Sequence, residues 1–195
     1  VAARLALWQE GPGMLAGYRR ELLAVARTAK PVPAPLALAL RQTVVQSLGN
    51  GRQAQYEAEV WQVGRGPVRE HTVQIEYAPS QTRLTVLQAV VVRGKEVLRT
   101  VDRRTQQVSG DDSGMYYESE QQALRFTGLT AGDRIVVEWL LEDITSSPYG
   151  LVFGELLALA DDVLVAERDI TVLLPAGKEA LPLQVAVSLP PRDAA

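Results

Sequence analysis

Any chemistry in this sequence has to come from one histidine, a modest set of carboxylates and a few aromatic rings, because it contains no cysteine. The missing thiols remove a cysteine nucleophile, thiolate metal sites and disulfides together. His71 follows a Gly-Pro turn and opens an alternating stretch, and no Gly-x-Ser-x-Gly elbow occurs. A Ser-His-Asp triad assembles from distant positions, so spacing alone leaves one open. The favoured reading of His71 is an exposed or half-buried structural side chain. Zinc chemistry needs several nitrogen or sulfur ligands, more than a lone histidine offers.

Two adjacent acidic pairs, Asp111–Asp112 and Asp161–Asp162, lack the spaced oxygen ligands and terminal Glu of a calcium loop, and read as solvated turns. Glu138 and Glu142 share one face of an alternating run and would form an acid pair only inside a cleft; pointing to solvent is the simpler expectation. Three aromatic residues are candidates for binding. Trp61 falls on the Gln/Glu face of its run, where it would offer an exposed contact surface, while Tyr116 and Tyr117 would point to opposite faces of a strand. Trp139 alternates with Ile135 and Val137 and reads as core. No catalytic residue, metal site or cofactor is expected.

The elements that would carry these residues change character along the chain. Residues 1–30 are helix-prone around a Gly-Pro-Gly break, with Leu15, Tyr18, Leu22 and Val25 at helical spacing, and read as a helix capping the rest or the end of a helical repeat region. Three prolines in "KPVPAP" make residues 31–35 a stiff connector. From Leu36 to about residue 190 the hydrophobic period is two. Gly49-Asn50-Gly51 signals a hairpin, Gly64 to Pro67 and Arg93 to Glu96 signal further turns, and "DRRTQQVSGDDSG" reads as an exposed loop. The expectation is an all-β, antiparallel β-sandwich of about 8–10 strands (roughly residues 36–190) with a short N-terminal helical segment.

Composition supports a packed core, with 47% hydrophobic and 22% charged residues. The net charge is −3 with both signs interleaved, so no nucleic-acid surface is expected. No apolar run approaches the roughly 20 residues that span a bilayer as a helix. Val1 opens without an initiator Met or a charged leader, which reads as a processed chain or a piece of a longer one.

Within "FTGLTAGDRIVVEW" (126–139), Gly128 and Gly132 suit conformations closed to side chains, Asp133 can bond free amides, and Leu129 and Ile135 can tuck beneath a corner between sheets. This stretch, preceded by Tyr77-Ala-Pro-Ser, "LQAVVVRGKEV" and Tyr116-Tyr117 and followed by "ERDITVLLPAG", resembles the bacterial domain of unknown function found immediately before transglutaminase-like, papain-like domains. Two positions depart from that pattern. Its usual Asp-Gly turn is Arg93-Gly94-Lys95 here, and a strand Tyr is replaced by Trp139. The resemblance implies a β-sandwich in a larger multidomain protein of the periplasm or cell envelope, or a secreted one, sometimes with helical repeats upstream. It implies a non-catalytic accessory domain that positions or binds partners for the neighbouring domain, whose Cys-His-Asp has no counterpart here. A module binding protein or glycan of the cell envelope through exposed aromatic residues is the alternative.

Overall fold

The structure, a computed structural model, describes residues 2–8, 17–31, 33–49, 51–99, 101–108, 119–146 and 163–175. Ten strands and one short helix account for most of them. These are β1 (Ala2–Trp8), α1 (Leu22–Thr28), β2 (Leu36–Gly49), β3 (Arg52–Val63), β4 (Glu70–Tyr77), β5 (Thr82–Arg93), β6 (Glu96–Leu98), β7 (Val101–Val108), β8 (Ser119–Thr127), β9 (Arg134–Asp143) and β10 (Arg168–Pro175). A large sheet runs β1-β10-β2-β3-β9-β5-β6 and a small one β4-β8-β7. The all-β, sandwich-like class expected from the alternation holds.

The hairpins form where the turn residues place them. Gly51 and Gly94 take positive φ values of 68° and 59°, which lets β2–β3 and β5–β6 reverse tightly. Between the sheets lies one apolar core, with Val73, Ile75, Leu124 and Phe126 of the small sheet meeting Val91, Ile135, Val137 and Trp139 of the large one. Trp139 is therefore a core residue, as its alternation requires. A second core lies on the opposite face of the large sheet, where Leu22 and Ala26 of α1 cover Tyr56, Ala58, Val60, Val90 and Val136. The middle of the large sheet is thus covered on both faces.

Four expectations are corrected. Residues 2–8 form a strand rather than a helix, pairing in parallel with β10 from Ala2↔Asp169 to Trp8↔Pro175. Their alternation is as good as their helix propensity, and an unpaired sheet edge with its free N–H and C=O groups decides between the two. Among the described residues, helix covers 17–18 and 22–28, with a break at 19–21 where Arg19 turns towards the sheet. The sheet is not purely antiparallel, because β10 also runs parallel to β2. Finally, much of the expected loop at 102–108 is strand β7, paired with β8. Its residues from Asp102 to Gln107 are all exposed, which is why no apolar alternation marks it. The candidate strands at 151–162 and 181–190 lie outside the described residues.

The Pro-rich connector lies against the large sheet rather than spanning free space. The Gly64 amide donates to the Pro35 carbonyl at 2.9 Å. A Cβ on Gly64 would sit 2.0 Å from the Ala34 carbonyl oxygen, a backbone atom that cannot yield without moving the connector. Gly64→Ala is expected to cost about 1–3 kcal/mol through this overlap, read as a lowered denaturant midpoint. An unchanged midpoint would show that the connector is not held there.

Candidate functional site

The polar side chains singled out for chemistry are distributed over three separate places. The corner at residues 128–133 is the best defined. Gly128 and Gly132 adopt φ values of 67° and 96°, and Leu129 is buried beneath them. Asp133 is only 1% exposed, and accepts from Arg93 Nε at 2.9 Å, Arg93 Nη2 at 2.8 Å and the Thr130 amide at 2.9 Å. Arg93 also donates to the Gly128 carbonyl, so one guanidinium ties both ends of the turn. Burial opposes ionisation of Asp133, but the bonds from Arg93 and Thr130 outweigh it and hold the carboxyl below its ordinary range. Both oxygens are thus engaged, Oδ1 by Arg93 and Oδ2 by Arg93 and the Thr130 amide.

The second place lies between the sheet and the N-terminal segment. Glu138 is buried, contrary to the expectation that it faces solvent, because α1 and the residues before it cover that face. Its Oε2 accepts from Arg19 Nη2 at 2.8 Å and from the Tyr56 hydroxyl at 2.8 Å. The Arg19 guanidinium carbon also stands 5.8 Å from the centroid of the Tyr56 ring. Burial, then the bond to anionic Glu138, pushes the Tyr56 hydroxyl up, so it serves as a donor and not as a base. Glu142 stays near the surface, paired with Arg83 at 3.0 Å.

The third place surrounds Trp61. Its indole is 8% exposed and belongs to the inter-sheet core, which corrects the expected contact surface. The polar face of β3 is the face that the small sheet covers, so the tryptophan is covered although its strand neighbours are Gln and Glu. Trp61 Nε1 donates to Glu59 Oε2 at 2.7 Å, and Arg41 Nε donates to Glu59 Oε1 at 3.0 Å, so this buried carboxylate is satisfied on both oxygens. The His71 ring packs on Trp61 with centroids 4.3 Å apart and planes tilted by 52°. Burial lowers the His71 pKa to about 4, which keeps it neutral near pH 7. Next along the face, Glu57 accepts from Thr43 Oγ1 and Gln55 Nε2, both at 2.9 Å. Burial still raises its pKa to about 7. Tyr116 and Tyr117, and the pairs Asp111–Asp112 and Asp161–Asp162, lie outside the described residues. Among the described residues there is no cluster of three or more His, Cys, Asp or Glu side chains placed to hold a metal.

Arg19, Arg41, Arg93 and Glu59 were not legible as a set from residue type. Arg41 and Glu59 could have been found by counting equally back from the turn, since they face each other across the hairpin. Arg19 and Arg93 lie 119 and 40 residues from their partners, and no local signal marks them.

Two outcomes follow from these contacts. Asp133→Ala removes three bonds to a buried carboxylate and is expected to cost about 1–3 kcal/mol, measured by denaturant unfolding. Wild-type levels of stability in that variant would remove the corner as a determinant of the fold. The second concerns pH. Glu57 has its folded pKa raised from 4.5 to about 7, so its penalty grows as pH rises through that window. His71 has its folded pKa lowered from 6.5 to about 4, so stability is lost as pH falls through that window. The two slopes oppose one another where the windows overlap. Relative to the parent, Glu57→Gln is therefore expected to gain stability with rising pH, and His71→Asn with falling pH. Parallel pH profiles for variant and parent would contradict both assignments.

Comparison with known proteins places these observations in a family. No curated protein matches the chain. A crystal structure of a candidate protease from Parabacteroides distasonis is similar in part, at 14% identity and a TM-score of 0.47, over 56% of this chain and 23% of that one. The chain therefore spans under a quarter of that protein's length. A family described as a domain of unknown function with a solved structure, DUF3857, matches residues 50–193. That span contains the Gly-Asp corner, the hairpin at Gly94 and eight of the ten strands from Arg52 onward, counting β3 to β10. With most of its length matched, the chain belongs to the DUF3857 family.

Proposed function

We propose that this chain is a non-catalytic accessory domain of a larger bacterial protein, positioning or binding partners for a neighbouring transglutaminase-like domain. One observation supports this reading above the others. Each described carboxylate singled out for acid or base chemistry is held in hydrogen bonds or an ion pair within the fold, and His71, whose Nε2 is buried without a hydrogen-bond partner among the described residues, packs on Trp61. Asp133 closes the corner on Arg93, and Glu138 binds Arg19 and Tyr56. A general base needs a free lone pair in reach of a substrate proton. Here the buried carboxylates of Asp133, Glu138 and Glu59 are each shared between two donor residues. The resemblance carried by the corner and its flanking strands supplies the neighbour, and with it the envelope or secreted location. No helix among the described residues is long and apolar enough to cross a membrane.

The alternative, a module binding envelope glycan through aromatic rings, no longer has Trp61 as a surface residue. It rests on Tyr116 and Tyr117.

The test is made on the purified 195-residue chain and on the longer gene product. The isolated chain is expected to show no hydrolysis of peptide or ester substrates, and the sequence past Ala195 to contain Cys, His and Asp in papain-like order. Deleting residues 1–195 should then impair substrate or partner capture by the downstream domain. Hydrolysis that disappears in His71→Asn, or a gene product ending without those three residues, would overturn the proposal. Retention on peptidoglycan or glycan resin that is lost in Tyr116→Ala or Tyr117→Ala would favour the alternative.

A further inference from the structure

The docked connector and the Gly-Asp corner leave a cleft of about 580 Å³ between them. Pro31, Pro33 and Pro35 line one side, Val63 the other, and Arg65 and Arg134 supply its charge. No carboxylate is among its described lining residues, although the chain as a whole is acidic. Another groove, about 700 Å³ between residues 17–20 and β10, differs in this respect. There Glu167 and Asp169 offset Arg19, Arg20 and Arg168, and an ion pair joins Arg20 to Glu167.

Arg134 is unusual within the cleft. Its Nη1 donates to the Gly132 carbonyl at 3.0 Å and to the Asp133 carbonyl at 3.4 Å, which fixes one end of the guanidinium. Its Nε is buried, out of reach of a molecule in the cleft, and has no hydrogen-bond partner among the described residues. The adjacent Asp133 carboxylate is taken up by Arg93 and the Thr130 amide. Arg65 makes no ion pair with any described residue. Nη2, which makes no hydrogen bond among the described residues, is the nitrogen left to meet an anion in the cleft. Burial also draws the Arg134 pKa down, a cost that a bound anion would relieve.

We infer that this cleft binds a carboxylate carried on an apolar body, with Arg134 Nη2 and Arg65 as its cations and the prolines against the apolar part. The proposal is independent of the accessory role, since it depends only on residues of the cleft. The carboxylate could be that of a free organic acid or the end of a peptide, and the same site chemistry serves both.

The test is an amide-resolved NMR titration of the 195-residue chain with sodium benzoate, with benzamide as the neutral isostere, N-acetylphenylalanine as the peptide-like acid and inorganic phosphate as the bare anion. Saturable shifts at Gly64, Ala131 and Gly132 are expected with benzoate and N-acetylphenylalanine. Arg134→Gln should weaken them by at least about tenfold, and Arg65→Ala less. Should Arg134→Gln fail to fold, Arg134→Lys, which keeps the charge on a shorter side chain without Nη2, is expected to weaken benzoate too. Tighter binding of benzoate identifies a free acid as the better ligand, and tighter binding of N-acetylphenylalanine a peptide terminus; both support the site. Benzamide binding as tightly as benzoate, phosphate binding as tightly as either acid, or unchanged benzoate midpoints in Arg65→Ala and Arg134→Lys would overturn it.

Discussion

From Ala58 to Val63, strand β3 has no solvent face. Every side chain in that half-strand is buried, with the small sheet on one side and α1 with its preceding residues on the other. Much else in the structure follows from that constraint. A polar side chain in such a strand pair must find a partner, because an unpaired buried charge is strongly disfavoured. Glu59 finds Arg41 and Trp61, and Glu138 on the adjoining strand finds Arg19 and Tyr56. Both guanidinium groups are partly exposed, at 27% and 42% of their side chains, while both carboxylates are buried. Each pair thus keeps its cation near water, which reduces the desolvation that a fully enclosed pair would carry.

The alternation of apolar residues made the strands, the hairpins and the corner legible before any coordinates. Val73 and Ile75, or Ile135, Val137 and Trp139, can be assigned to a core face by counting in twos. Counting in twos cannot say which of two faces is open. Trp61 and Glu138 are the residues this affects, because a period-two pattern with polar residues on one side implies solvent only when nothing covers it. What covers it here, a three-stranded sheet and a seven-residue helix, comes from distant sequence. Residues 2–8 failed differently. Their local preference allowed helix or strand, and only the edge of β10 distinguishes them. At the candidate cleft, the prolines were legible as a connector, but their approach to Gly64 and Arg134 is tertiary and left no trace in spacing.

The corner at Asp133 joins two roles that usually sit apart. It fixes the entry of β9 by way of Arg93, and its backbone carbonyls at residues 132 and 133 orient the neighbouring Arg134. The amide of Gly132 also donates to the Val63 carbonyl, and the Val63 amide to the Asp133 carbonyl, which couples the corner to the end of β3. The connector meets that same end of β3 at Gly64. A rigid turn is therefore the common support for a sheet junction and for the wall of the cleft, and the position of one cannot change without the other.

The strand order has a bearing on how the chain is made. β10 sits between β1 and β2, so both of those strands lack a neighbour until residue 175 has been synthesised. At ribosomal speeds, the stretch from Gly49 to Arg168 takes on the order of 6–24 s to emerge. Throughout that interval one long edge of β2, a strand whose residues 37–46 are nearly all buried in the finished fold, remains open to pairing with another chain. Nascent chains of this domain thus have a vulnerable period on the ribosome that the finished protein does not share, and the last of the described strands to appear is the one that ends it.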